Sequence, residues 1–300
     1  MTNKKSLVVK DNRLIEASYR LDLSEQRLIL LAIVQARLVK PITSDTLIEI
    51  TASDYAAACS LDTKSGYQRL KEASDNLFQR WVQLRGVDVL TGKEALLKTR
   101  WVSSCIYVEN AGLVRLRISP DIIPYISELE ANFTSYQLKN VAQMTSTYAI
   151  RLYELLAQYK KIGNRYFELS EFKRLLDADE KSYERIDNLK NKVLNIAVDQ
   201  VNQFTDLSIA YTERRAGRAI IGLDFSVDQK PTEIPNVKPR KTQESKAAAK
   251  ISIGLSTAEK NMLRQLATKT GKTEAALLAD ARQKGGDLFL ALDQMAQAEA

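Results

Sequence analysis

The chain has 300 residues, 45% of them hydrophobic, with a formal net charge of +7 and no histidine. Its length exceeds one typical domain, so two domains plus a smaller appendage are expected. The missing histidine removes the usual general base, the Ser-His and Cys-His nucleophile pairs and the commonest zinc ligand, which points away from an enzyme.

Cys59 and Cys105 are too few for a disulfide framework or a sulfur-rich zinc site and read as buried thiols. Neither a metal nor a cofactor is therefore expected. No apolar run approaches the roughly 18 residues of a membrane span, and Met1–Lys10 lacks the apolar region and cleavage site of a secretory signal. The expectation is a cytoplasmic protein with no membrane partner, whose basic excess favours an anionic one.

In chain order, Leu23–Leu38 reads as a helix capped by Ser24 and ended by Pro41. Leu47–Ile50 is a short strand, Asp54–Cys59 a second helix and Leu61–Lys64 a turn. Ser65–Val82 is a third helix, with Tyr67, Leu70, Ser74, Leu77, Phe78 and Trp81 as one buried stripe. Trp81–Val89, Ala95–Val108 and Leu113–Ile118, separated by tight turns, predict a small antiparallel sheet.

The same order then returns. Val141–Lys160 is a long helix, Arg165–Leu169 a strand, and Glu171–Leu176 a helix capped by Ser170. Lys181–Phe204 is a long helix, and Leu207–Tyr211 with Ala219–Phe225 a hairpin. At an offset of 116, Tyr67 falls on Tyr183, Arg69 on Arg185, Leu70 on Ile186, Leu77 on Val193 and Val82 on Val198. Tyr55 meets Phe172 after a one-residue gap. Helix, strand, helix, helix, hairpin is the order of a winged helix. The fold expected is α+β, two tandem winged helices from an internal duplication, over 1–130 and 131–228. A basic, proline-bearing linker (229–255) and a tail of three short helices (256–300) follow. The tail is either a small domain or a segment that orders with a partner.

A winged helix lays its third helix in the DNA major groove and its hairpin on the backbone. In the second module Ile186, Leu189, Val193, Ala197 and Val201 form the inward stripe. Lys181, Arg185, Asn188 and Lys192 project outward near the amino-terminal end, flanked by Tyr183 and Lys190. Arginine pairs with guanine edges, asparagine with adenine, and lysine with phosphate or guanine. Glu184 and Asp187 on the same helix also suit a plain solvated surface. Arg214, Arg215 and Arg218 surround the hairpin turn and suit phosphate contact. The first module offers Lys64, Arg69 and Lys71 beside Glu72 and Asp75, and its surface fits self-association as well as a second DNA contact. Gly271-Lys272-Thr273 is no phosphate-binding loop, because Leu266 stands where that loop needs glycine.

Two regions of the chain carry a resemblance to a known family. Asn12-Arg13-Leu14-Ile15-Glu16-Ala17, followed by Leu23-Ser24-Glu25-Gln26-Arg27-Leu28, resembles the opening of the theta-type plasmid replication initiators that bind iterons. Glu171-Phe172-Lys173-Arg174-Leu175-Leu176, Lys181-Ser182-Tyr183-Glu184-Arg185 and Lys192-Val193-Leu194-Asn195-Ile196-Ala197 resemble the recognition region of their second winged helix. The likeness runs from about Leu7 to Val227. It implies monomers on direct repeats of double-stranded DNA at an origin, duplex opening, and recruitment of the host replication initiator and helicase. It also implies dimers that repress their own promoter through an inverted repeat. The first domain would carry dimerisation and accessory DNA contact, and the second the main reading of the repeat. In the tail, Asp287-Leu288-Phe289 resembles the end of a sliding-clamp-binding peptide but has Gly285 where that peptide has glutamine; packing of a small helix is the simpler reading. A transcriptional repressor built from the same domains, and a scaffold for acidic proteins, are the alternatives.

Overall fold

The computed structural model describes residues 6–231, apart from 40, 60–61, 88–89, 109–110, 128 and 130. Most of the expected linker, the whole of 256–300 with its three expected helices, and Asp287-Leu288-Phe289 lie outside the described residues. The elements run β1 (Leu7–Asp11), α1 (Asn12–Ile15), β2 (Ser18–Tyr19), α2 (Leu23–Ala36), β3 (Ile48–Thr51), α3 (Ala52–Cys59) and α4 (Thr63–Gln79). Then come β4 (Trp81–Val87), β5 (Glu94–Arg100), β6 (Val102–Val108), β7 (Leu113–Ile118) and β8 (Phe133–Gln137). The second half holds α5 (Lys139–Ala142), α6 (Thr147–Ala157), β9 (Asn164–Glu168), α7 (Leu169–Leu176), α8 (Ile186–Leu189), α9 (Asn195–Phe204), β10 (Leu207–Ala216) and β11 (Ala219–Gln229).

Two winged helices are present and share one topology. In the first, α2, β3, α3 and α4 lead to the hairpin β6–β7, and the sheet order is β3-β7-β6. In the second, α6, β9, α7, α8 and α9 lead to β10–β11, with sheet order β10-β11-β9. In both, the strand before the second helix pairs with the outgoing wing strand and runs straight into that helix, at Thr51/Ala52 and at Glu168/Leu169. Tyr55 and Phe172, aligned in sequence, are both buried just after that junction, as are Leu77 and Val193 on the third helices. The first module differs by the inserted hairpin β4–β5, which joins β2 in a third sheet. The alternation expected over Ala95–Val108 is broken at Trp101, whose fully buried ring turns the chain from one sheet into the next.

Local chemistry corrects several expected boundaries. Asp22, not Ser24, caps α2: its carboxylate accepts from Glu25 N at 2.8 Å while Glu25 Oε2 accepts from Asp22 N, a reciprocal capping box. The helix expected over Val141–Lys160 is two, because Ser146 is extended and its hydroxyl caps α6 at Ala149 N. Ser170 spends its hydroxyl on Glu168 Oε1 rather than capping α7. The helix expected from Lys181 starts only at Ile186. Lys181–Tyr183 form a 3-10 turn, and Arg185 is extended (ψ 122°).

β1 pairs antiparallel with β8, so residues 7–11 and 133–137 bracket the whole first module. The seam to α6 is polar and buried. Arg151 donates to the carbonyl oxygens of Ile15, Ala17 and Leu175, and Lys10 donates to Glu154 Oε1 at 2.7 Å. Arg27 donates to the Ala142 and Met144 carbonyls. No helix among the described residues is long and apolar enough to cross a membrane.

Candidate nucleic-acid interface

The third helix of the second module is built to expose one face. Leu189, Val193, Ala197 and Val201, at spacings of four, are fully buried, which fixes its inward side as the periodicity predicts. Ile186 is half-buried at its start. Between α8 and α9, Lys190–Leu194 form a π-turn, so the rod is continuous but locally widened. Asn188, Asn191, Lys192 and Asn195 recur three, four and seven residues apart on the side away from the core; all but the half-buried Asn188 are exposed.

The candidate contacts fall into two groups. Lys181, Arg185, Lys192 and Arg218 are exposed and have no ion-pair partner among the described residues, so their charge is free for a ligand. Arg185 stands immediately before α8, where the amino-terminal end of a recognition helix meets base edges. Gly217 supplies the positive φ of 60° that closes the hairpin, and this places Arg218 at the wing tip.

The other group is engaged within the fold. Tyr183 is half-buried edge-on to Tyr148, with the hydroxyls 3.4 Å apart. Asn188 Nδ2 donates to the Ser182 carbonyl at 2.9 Å and braces the 3-10 turn against the helix. Lys190 donates to Glu213 Oε1 at 2.6 Å, and Arg215 donates to the other oxygen of the same carboxylate. These two hydrogen bonds, that from Lys190 first, hold the Glu213 carboxyl below its usual value, and the Lys190 ammonium is held above its own. Glu213 thus ties the helix to the wing. Arg214 forks onto Asp224 at 2.9 and 2.6 Å and lies over the Tyr166 ring. Gly222 makes room for that ring, since a Cβ there would sit 2.4 Å from it.

In the first module, Arg69 is exposed on α4, while Lys71 is half-buried with its ammonium 5.5 Å from the Tyr107 ring centre. Lys64 lies in the first turn of α4, and its side chain is outside the described set. Asn191 and Asn195, not among the expected contacts, are exposed on the same helix, and their spacing from Asn188 is readable in the sequence. Among the described residues no cluster of histidine, cysteine, aspartate or glutamate could hold a metal ion. The surface offers cations and amides on a convex rod beside a basic wing, which suits groove reading and phosphate contact.

Comparison with known proteins settles the family. The description "Initiator Replication protein, WH1" matches residues 7–157, and "Initiator Rep protein, WH2" matches 168–227. The chain belongs to the initiator replication protein family. A replication initiation protein of Escherichia coli is 26% identical to this initiator over 229 residues, covering 74% of the chain and 69% of that protein. An uncharacterized 27.6 kDa Escherichia coli protein is 24% identical over 238 residues, covering 74% and 96%. Among solved structures, the Pi initiator protein in complex with iteron DNA superposes on this initiator with a TM-score of 0.63 at 25% identity. That match covers 75% of the chain and 98% of the Pi chain. The two matched regions fall on the two winged helices, with α2–α4 inside the first match and α7–α9 inside the second.

Proposed function

We propose that this initiator binds direct repeats at a plasmid origin and couples several bound copies to opening of the adjacent duplex. The observation that carries the reading is the free cationic set on the second winged-helix module: Lys181 and Arg185 just before the third helix, Lys192 on it and Arg218 on the wing, with no ion-pair partner among the described residues. The likeness to an initiator solved with iteron DNA supports the same reading. In this mechanism residues 131–228 read the repeat. Arg185, Asn188 and Lys192 face base edges. Lys181, Arg214, Arg215 and Arg218 hold phosphates, Tyr183 and Lys190 support the helix, and Lys64, Arg69 and Lys71 add accessory contacts from residues 1–130.

Residues 1–130 also carry self-association, through which a dimer represses its own promoter at an inverted repeat. Recruitment of the host replication initiator and helicase completes the role, which DNA as partner places in the cytoplasm. No covalent step is assigned to any residue.

The test is a mobility-shift titration of the purified protein on DNA upstream of its own gene, with random duplex as competitor. A ladder of competitor-resistant complexes on direct repeats is expected. A single complex on an inverted repeat alone would favour a repressor, and no preference over random duplex would sink the proposal for that region.

A further inference from the structure

The recognition helix carries two amides whose hydrogen-bonding direction the fold has set in opposite senses. Asn195 Oδ1 accepts the Tyr211 hydroxyl proton at 2.9 Å, which leaves both Nδ2 hydrogens pointing away without a partner among the described residues. Tyr211 is itself anchored: its ring lies tilted on buried Phe225, with centroids 5.9 Å apart. Asn188 is the mirror case. Its Nδ2 is committed to the Ser182 carbonyl, so its Oδ1 remains the open acceptor. An unanchored amide can turn over and show either sense, as exposed Asn191 between them is free to do.

We propose that Asn195, positioned by Tyr211, is a specificity-determining residue that presents N–H donors to an acceptor edge in the major groove. This deepens the DNA-reading assignment and rests on it. The major-groove acceptors are purine N7, guanine O6 and thymine O4; cytosine N4 and adenine N6 are donors and fit the open Asn188 oxygen instead. Asn188 and Asn195 lie on either side of the π-turn, both directed away from the buried Leu189, Val193 and Ala197, so they address different positions along the groove. Lys192 sits between them and supplies charge without a fixed direction. The π-turn at Lys190–Leu194 falls between the two asparagines, a distortion often kept at functional positions. Asp199, one turn beyond Asn195, turns the surface acidic and marks where the helix leaves the groove. Burial holds the Tyr211 phenol above its ordinary value, so it remains a hydrogen-bond donor through the neutral range.

The experiment uses the full chain and a pool of randomised duplexes, from which bound sequences are selected and counted for the unaltered protein, Asn195→Ala and Tyr211→Phe. Asn195→Ala is expected to lose discrimination at one base pair by about 2- to 10-fold, the scale of a single hydrogen bond, because Oδ1 is already engaged and a bidentate pair is not available. Binding to unselected duplex should stay the same. Tyr211→Phe keeps the asparagine and frees it to turn, so the same base pair should become permissive to acceptor and donor edges alike. A merely structural tyrosine would not shift the preference at that one position. A base profile unchanged in Asn195→Ala would overturn the inference while leaving the initiator reading intact. An equal loss on selected and unselected duplex would make Asn195 a backbone contact and also overturn it. No preference in the unaltered protein would remove the DNA-reading assignment, and this inference with it.

Discussion

The Lys10 ammonium on β1 donates to Glu154 Oε1 on α6 at 2.7 Å, with 1% and 0% of the two side chains exposed. The pair joins the strand that opens the first module to the helix that opens the second. Tyr136 donates to the same carboxylate oxygen, and Tyr19 lies 3.5 Å from the other. Buried Arg151 lies 3.8 Å from that other oxygen, so one carboxylate serves two cations. Charges taken this far from water are costly, and their attraction offsets the cost only while the partners are present.

Removing one partner should therefore be far worse than removing both. Glu154→Leu is expected to lower stability by about 3–5 kcal/mol, by stranding a buried ammonium, whereas Lys10→Met with Glu154→Leu should recover much of the loss. Urea unfolding of the full chain measures this. A double variant no better than the single one would show that Glu154's contacts with Arg151, Tyr136 and Tyr19, rather than its pair with Lys10, carry the seam.

Arg185 tests the groove assignment directly. It is exposed, has no ion-pair partner among the described residues and stands at the amino-terminal end of α8. Arg185→Ala is expected to weaken binding to the preferred repeat by about 1–3 kcal/mol while leaving random duplex almost unchanged. An equal loss on both would make it a phosphate contact. No loss on either would take it out of the interface.

How much of this could be read beforehand follows from what each signal needs. The duplicated order was legible because amphipathic helices announce their inward face locally, and Leu70, Ser74, Leu77, Leu189, Val193 and Val201 are buried, whereas Trp81, expected on the same stripe, begins β4 after α4 has ended at Gln79 and is 45% exposed. The pairing of β1 with β8 was not, because Val8 and Tyr136 lie far apart in sequence and neither strand carries a turn signal to its partner. The start of the recognition helix was misplaced for a related reason. Lys181–Arg185 has no glycine or proline to break a helix, yet Tyr183 is drawn against Tyr148 and Ser182 is held by Asn188. Tertiary contacts there override local propensity. At the interface, charge type was readable, but which cations are already satisfied was not. Lys190, Arg214 and Arg215 look as free as Arg218 until Glu213 and Asp224 are seen across the hairpin.

That distinction predicts how the wing responds to salt. Arg218→Ala removes a free cation, so affinity should fall less steeply with salt, by about 0.9 in the logarithmic slope if it holds one phosphate. Asp224→Asn should do the reverse. It releases Arg214 from its fork and removes a negative charge beside the backbone path, giving tighter and more salt-dependent binding. Titrations of random duplex at several salt concentrations separate the cases. Unchanged slopes in both variants would remove the wing tip from the phosphate path.

The last prediction concerns acid. The Lys190 and Arg215 hydrogen bonds hold the Glu213 carboxyl below its ordinary value of 4.5. A depressed folded value means that the clamp's contribution is fully present above the unfolded value and is lost as pH falls through the folded one. Stability should therefore hold at neutral pH and decline below about pH 4.5, with protonation releasing the wing strand from Lys190. Glu213→Gln removes the titration. Its unfolding midpoint should start lower at neutral pH and fall less than that of the unaltered protein between about pH 5 and 3. Parallel curves for the two proteins would mean that other carboxylates govern the acid limb and that Glu213 contributes little to the joint between helix and wing.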